Sequence, residues 1–274
     1  MSINPNCKDI RLFDFINYGA DKLILMLLIM VRASGIFVTA PIYGDRSLPR
    51  LVKVGLVILL SLILIPVVGG LDTLPKVTNL WQLTGLVFNE MLVGVLIGLV
   101  YRLIFIGVLS GGAIIGYQVG FSFANVFDPN QSDQISIIGR FWYILAILFF
   151  LTINGHHIII SSFADSYQVI PAGNVQLSGA AGELFIKYTA YIFIIAVKIA
   201  SPVIITLFLT DVALGTIAKT MPTMNVFFVG FPIKIGAGLL VMALSLPLFT
   251  YVIQRSLEYF DGELHTLLMT LGRA

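Results

Sequence analysis

Apolar runs of membrane length constrain this chain more than any other feature. They cover residues 22–43, 53–70, 83–101, 103–123, 141–163, 184–210 and 226–253. A helix that crosses hydrocarbon needs about 20 apolar residues, whereas a barrel strand needs about 10 and alternates. These runs are long and do not alternate, so they predict helices. Where water is absent, each backbone N–H and C=O must be satisfied within its own segment. The fold class is therefore all-α, a polytopic membrane or membrane-complex protein. Only Tyr101 and Arg102 separate the third run from the fourth. They leave one long bent helix or a tight hairpin, and a count of six or seven apolar helical runs.

Charge supports this reading. Charged residues are 11% of the chain, against about 25% in soluble domains, too few to cover a water-exposed surface. The net charge of +2 gives no nucleic-acid footprint, and one cysteine, Cys7, excludes an internal disulfide. The first run is longer than the roughly 7–15-residue core of a signal peptide, and Asp9 and Asp14 interrupt its basic flank. It reads as a retained helix. Loop 43–53 holds Arg46, Arg50 and Lys53 against Asp45, while 69–83 has one Lys and one Asp. The positive-inside rule then makes the first loop cytoplasmic and puts the second loop and the N-terminus opposite. Residues 164–183 form the longest polar excursion, and 255–274 reads as an amphipathic end helix.

Catalysis has little to work with. Adjacent His156 and His157 would point about 100° apart on a helix and chelate one metal poorly. They read as a polar helix end after Asn154-Gly155, and His265 is remote. No nucleophile elbow, zinc-protease motif or phosphate-cradling loop is present. The expectation is a protein that is not an enzyme and takes no cofactor or metal.

Charges inside apolar runs are the next candidates. Arg32, Glu90, Arg102, Lys187, Lys198 and Lys234 lie in or beside such runs, where each costs several kcal/mol unless paired or wet. Lys187 and Lys198 are eleven residues apart, nearly one face of a helix. These charges would line a path, pair between helices at an interface, or snorkel to a boundary.

The middle of the chain combines opposites: GYQVGFSFANVFDPNQSDQISIIGRF, residues 116–141. Gly112, Gly116 and Gly120 recur every four residues and would let another backbone approach closely. Tyr117, Phe121, Phe123 and Phe127 add rings. Asp128-Pro129 is then expected to end the helix, because the residue before proline leaves the α region and proline lacks a donor. Irregular backbone at membrane depth is tolerated only inside protein or lining a wet cavity. Residues 219–238, with Pro222, Gly230 and Pro232, read as a loop between hairpin helices rather than a re-entrant turn, and Pro202 predicts a kink.

Four stretches resemble one family: TAPIYGDRSLPRLVKVGL (39–56), GYQVGFSFANVFDP (116–129), LFFLTINGHHIII (148–160) and FFVGFPIKIGAG (227–238). Their order and spacing are similar to the FliR family of flagellar export-gate proteins, related to SctT of type III secretion systems. The NGHH and SFANVFDP stretches resemble the flagellar branch. The resemblance implies one copy joined to FliP-like and FliQ-like subunits in a closed helical cone, with FlhB-like and FlhA-like export components as further partners. It implies a FliP-like part at 1–185 and a FliQ-like part at 186–274. Helices would be bent hairpins rather than ordinary spans, in a basal-body complex at the inner membrane that projects to the periplasmic side. Unfolded flagellar proteins would pass through its centre. Ala113–Pro129 would be the pore plug, with Gly112, Gly116, Tyr117, Gly120, Phe121, Phe123, Phe127, Asp128 and Pro129 as its residues. Without the resemblance, the residues equally admit a transporter of ions or small solutes that uses Glu90, Lys187 and Lys198.

Overall fold

A computed structural model describes residues 6–45, 48–68, 79–120, 136–175, 179–221 and 225–272. Among these residues there are eight helices and no strand. They are α1 (Asn6–Thr39), α2 (Arg50–Val68), α3 (Leu80–Val119), α4 (Ile137–Thr152), α5 (Gly155–Val169), α6 (Gly179–Thr220), α7 (Val226–Leu244) and α8 (Leu246–Gly272). Four helices are long and apolar enough to cross a membrane: α1 from Lys22, α2, α3, and α6 from Gly182. The broken pairs α4–α5 and α7–α8 raise the number to six if each pair is one span.

The choice at Tyr101–Arg102 falls on one helix. α3 runs through both residues for 40 residues, about 60 Å at 1.5 Å per residue. Tyr101 is buried, and its hydroxyl donates to Asp261 Oδ1 at 2.8 Å. With Tyr101 satisfied inside the protein and Arg102 exposed, neither residue gives the helix a reason to stop. The opposite correction applies to run 141–163, which is broken at Ile153–Asn154. Asn154 adopts φ 58°, a left-handed conformation that asparagine tolerates. Gly155 then opens α5 with its Cα against the Phe150 ring. His156 and His157 sit in the first turn of α5, as a polar helix end.

Three further expectations meet the structure. Residues 164–183 are not one polar excursion: 164–169 complete α5 and 179–183 begin α6. Two of their polar side chains, Ser166 and Tyr167, serve a buried contact described below, while Asp165, Gln168, Asn174 and Glu183 are exposed. Run 226–253 divides at Ser245, where α7 and α8 meet at a bend of 54°. The loop expected over 219–238 shrinks to the short connection between Thr220 and Val226, with Gly230 and Pro232 inside α7; Pro222 lies outside the described residues. Pro202 stays inside α6. Proline there removes the donor for the Lys198 carbonyl. The Ser201 hydroxyl donates to that carbonyl instead, at 3.0 Å.

The chain divides into two compact units. Unit one gathers 1–100, 157–182 and 262–274; unit two gathers 101–156 and 183–261. In unit one the core is Leu28, Ile29, Ala33, Val93, Ile97 and their neighbours. In unit two it is built on Trp142, Phe150, Tyr188, Leu207 and Phe260. Trp142 packs on Phe249 with ring centroids 4.3 Å apart, and Phe105 meets Phe150 edge-on at 5.5 Å. Much of the remaining apolar surface is exposed, including Leu59, Leu62 and Ile63 of α2 and Ile205, Phe208 and Leu209 of α6. Such surface suits lipid or protein cover.

Candidate functional site

Unit one holds a sealed ion pair. Arg32 of α1 and Glu90 of α3 have no exposed surface. The Arg32 Nε–H donates to Glu90 Oε2 at 2.6 Å, and an Nη2–H donates to Oε1 at 3.1 Å. The remaining guanidinium donors reach Ser166 Oγ at 2.9 Å and the Ile170 carbonyl at 3.2 Å. Glu90 also accepts from the Gly173 N–H at 2.7 Å and the Tyr167 hydroxyl at 3.4 Å. The guanidinium carbon lies 3.7 Å from the centre of the Tyr167 ring. A fork-to-fork pair with its outer donors and acceptors used is the arrangement in which burying two charges is tolerable. Ser166, Tyr167 and the backbone of Ile170 and Gly173 thus complete an ionic cluster. Sequence reasoning named Arg32 and Glu90 but missed Ser166 and Tyr167. No local pattern marks them, because they stand 134 and 77 positions from their partners.

The pair sits where two backbones meet. A Cβ on Gly94 would collide with the Arg32 carbonyl oxygen, and one on Gly98 with the Thr39 hydroxyl. From the other side, a Cβ on Gly35 would come within 2.8 Å of the Met91 carbonyl oxygen. The absence of side chains lets α1 lie against α3 and brings Arg32 within reach of Glu90.

Unit two holds the second glycine seam, on the C-terminal half of α3. A Cβ on Gly112 would approach the Gly139 Cα of α4 to 2.5 Å, and one on Gly116 would strike Ser136 Oγ. Ser136 caps α4: its hydroxyl accepts from the Gly139 N–H at 3.2 Å and donates to the Gly112 carbonyl at 3.5 Å. On the adjacent face, a Cβ on Gly111 would come within 2.9 Å of the Ala196 carbonyl oxygen of α6. Gly112 thus brings a second backbone close, while Gly116 makes room for the Ser136 and Ile138 side chains.

Gly120 differs from those two. α3 ends at Val119, and Gly120 follows at φ 99° with its N–H donating to the Tyr117 carbonyl at 3.1 Å. α3 therefore stops ahead of Asp128-Pro129, and whether that dipeptide ends a helix lies outside the described residues. Glycine enters this left-handed region without a Cβ penalty, so it ends the helix before the proline can. Tyr117 is 75% exposed on the last turn. Phe121, Phe123, Phe127, Asp128 and Pro129 lie outside the described residues.

The other charges lie in unit two. Lys234 of α7 pairs with Asp211 of α6, both partly exposed. Sequence reasoning missed Asp211, although an isolated carboxylate and an isolated amine, each beside an apolar run, were a usable signal. Lys187 and Lys198 lie over the rings of Tyr259 and Tyr191, at 6.0 and 5.9 Å. Those two rings stack on each other at 4.5 Å, so the lysines bracket one aromatic pair. Arg102 is exposed. Among the described residues, no group of three or more His, Cys, Asp or Glu could hold a metal ion.

Helices of membrane length, glycine-mediated contacts and charges paired inside the protein define a polytopic all-α membrane protein. The chain belongs to the bacterial export proteins, family 1, whose family model matches residues 23–260. It is 33% identical over 250 residues to the flagellar biosynthetic protein FliR of Bacillus subtilis, covering 90% of this chain and 95% of that protein. The FliR proteins of Pectobacterium carotovorum and Escherichia coli are 35% and 31% identical, over 80% and 87% of this chain and 82% and 89% of theirs.

Proposed function

We propose that this chain is a structural, pore-forming subunit of the flagellar type III export gate, through which unfolded flagellar proteins cross the bacterial inner membrane. Membership of an export-protein family, with flagellar relatives matched nearly end to end, carries this reading. In it, FliP-like and FliQ-like subunits complete the gate around one copy of this chain, and FlhB-like and FlhA-like components feed it. Residues 1–185 correspond to the FliP-like part and 186–274 to the FliQ-like part. That division concerns kinship, whereas the two compact units concern packing, so their different boundaries do not compete.

The plug is assigned to 113–129. Its described portion is the end of α3, held by Gly112 and Gly116 against Ser136 and the start of α4. In this reading Tyr117, Phe121, Phe123 and Phe127 fill the closed channel, and Asp128-Pro129 belongs to the segment that doubles back. Lys187, Lys198 and Lys234 are assigned to interfaces, and Arg32–Glu90 is a fixed internal support. A transporter would need Glu90 to exchange protons, but that carboxylate is held by Arg32, Tyr167 and the Gly173 N–H. The reading describes no catalytic step.

Two measurements test it. Native mass spectrometry of the tagged chain, expressed with its FliP-like and FliQ-like partners, should give one copy inside a mixed assembly. A Gly120→Trp strain should make normal amounts of the chain and fail to export hook and filament subunits. Normal export in that strain would overturn the plug assignment. A stable monomer or homodimer that ignores those partners would overturn the gate.

A further inference from the structure

α2 is joined to unit one through a strained residue. Ile42 adopts φ 68° in the turn after α1, and the Tyr43 N–H donates across it to the Pro41 carbonyl at 2.8 Å. This is the γ-turn with positive φ, the rare and strained form. Among the described residues Asn154 is the other non-glycine residue at positive φ, and asparagine tolerates it. A β-branched isoleucine does not. Nor is the strain relieved by the nearby Gly44, whose missing side chain serves a close approach: a Cβ there would meet the Val38 and Ala40 carbonyl oxygens at 2.6 and 2.8 Å.

The two sides of Ile42 are held unequally. On the α1 side, Ala40 and Pro41 are buried, the Tyr43 ring lies 4.7 Å from the Phe37 ring, and the Gly44 N–H donates to the Ala40 carbonyl at 2.8 Å. α1 itself is fixed to α3 by Arg32–Glu90. On the other side, Asp45 and the start of α2 form one block. The Asp45 carbonyl accepts from the Leu48 N–H at 3.4 Å and from Lys53 Nζ at 2.7 Å, across Arg46 and Ser47, which lie outside the described residues. Beyond that block α2 buries one stripe, Val57, Ser61, Leu64 and Val68, and leaves Val54, Ile58, Leu59, Leu62, Ile63 and Val67 exposed. The Ser61 hydroxyl donates back to the Val57 carbonyl at 2.7 Å, within the helix. Among the described residues, no hydrogen bond or ion pair joins α2 beyond Lys53 to another helix. Few buried apolar contacts and no polar lock define the element that opens ahead of its neighbours. Strain at its root adds to that tendency, because opening lets Ile42 return to an ordinary φ.

We infer that α2 is a hinged arm, which swings away from the rest of unit one as a rigid helix about Ile42 while α1 and α3 stay locked by Arg32–Glu90. Strain at Ile42 favours the open position; the Val57–Val68 stripe favours the closed one. The inference rests on unit one alone, so failure of the gate reading leaves it standing.

The test measures maleimide labelling of the full chain in detergent, in a Cys7→Ser background that removes the one native cysteine. Ser61→Cys, at a fully buried position of the α2 stripe, reports opening of the arm. Ser162→Cys, buried in α5 of the same unit, reports opening of the unit as a whole. Ser61→Cys is expected to label faster than Ser162→Cys. Ile42→Asn, which relieves one left-handed residue without adding the freedom of glycine, should slow labelling at Ser61→Cys about fivefold and leave Ser162→Cys unchanged. Equal rates at the two cysteines would mean that α2 opens only with the whole unit, and would overturn the arm. A Ser61→Cys rate that ignores Ile42→Asn would overturn the hinge. Spin labels at exposed Leu23 of α1 and Ile63 of α2 keep the inference testable should Ser61→Cys fail to fold. Two distances are expected, with the longer one depleted by Ile42→Asn; a single distance that Ile42→Asn leaves unchanged would overturn it.

Discussion

The two halves of α3 solve the same packing problem with different chemistry. Gly94 and Gly98 admit α1 in unit one, and Gly112 and Gly116 admit α4 in unit two. Beside the first pair lies a sealed Arg32–Glu90 cluster tied to Ser166, Tyr167, Ile170 and Gly173. Among the described residues, beside the second lie a Ser136 cap, one long hydrogen bond to the Gly112 carbonyl and apolar contact. The first seam is locked by charge that costs much to expose. The second is held by shape and a hydroxyl, and a glycine stop follows four residues after Gly116. A helix can thus be fixed at one end and left with weaker ties at the other, while glycine spacing looks alike in both.

The comparison breaks most visibly at the ion pair. Arg32→Leu alone, or Glu90→Leu alone, leaves an uncompensated buried charge and should cost about 3–5 kcal/mol. It should read as a collapse of folded yield and of thermal stability in detergent. The double Arg32→Met/Glu90→Leu variant should recover most of that loss; a double as unstable as either single would mean that the cluster is more than a pair. Next come the seams. Gly94→Ala and Gly112→Ala should each cost about 1–3 kcal/mol by overpacking, whereas Gly55→Ala, where a Cβ meets open space, should be neutral or slightly stabilising. Equal melting temperatures for all three would remove the seams from the account. Gly120→Ala should cost about 1–2 kcal/mol through its positive φ, and Ser136→Ala about 1 kcal/mol through loss of the cap. If the second seam is the one that moves in export, these two should alter secretion more than their stability loss alone explains. The smallest effect belongs to Asp211→Asn, about 0–1 kcal/mol, since that pair is partly exposed.

The all-helical class, the membrane-length runs and the glycine spacing were legible because each is a property of neighbouring residues. Run length reports what can cross hydrocarbon, and a four-residue repeat reports a helix face whatever it packs on. The resemblance in four stretches named a family that the family match supports. Helix ends were less legible. α3 ends at Gly120, short of the expected Asp128-Pro129; Tyr101–Arg102 looked like a boundary, but Asp261 satisfies Tyr101 within the protein. Run 141–163 hid its break because Ile153 is apolar and only Asn154-Gly155 marks the turn.

The sequence by itself determined that this chain is helical, that it belongs in or against a membrane, and that its central helix would be approached closely by others. Only the tertiary structure decided which charges meet. Arg32 and Glu90 are 58 positions apart, Lys234 has Asp211, and Lys187 and Lys198 share one tyrosine stack. A charge in an apolar run announces that it needs a partner, because low-dielectric surroundings penalise it alone. Which partner answers depends on which backbones the glycines allow to touch, and that is settled by packing across the chain rather than along it.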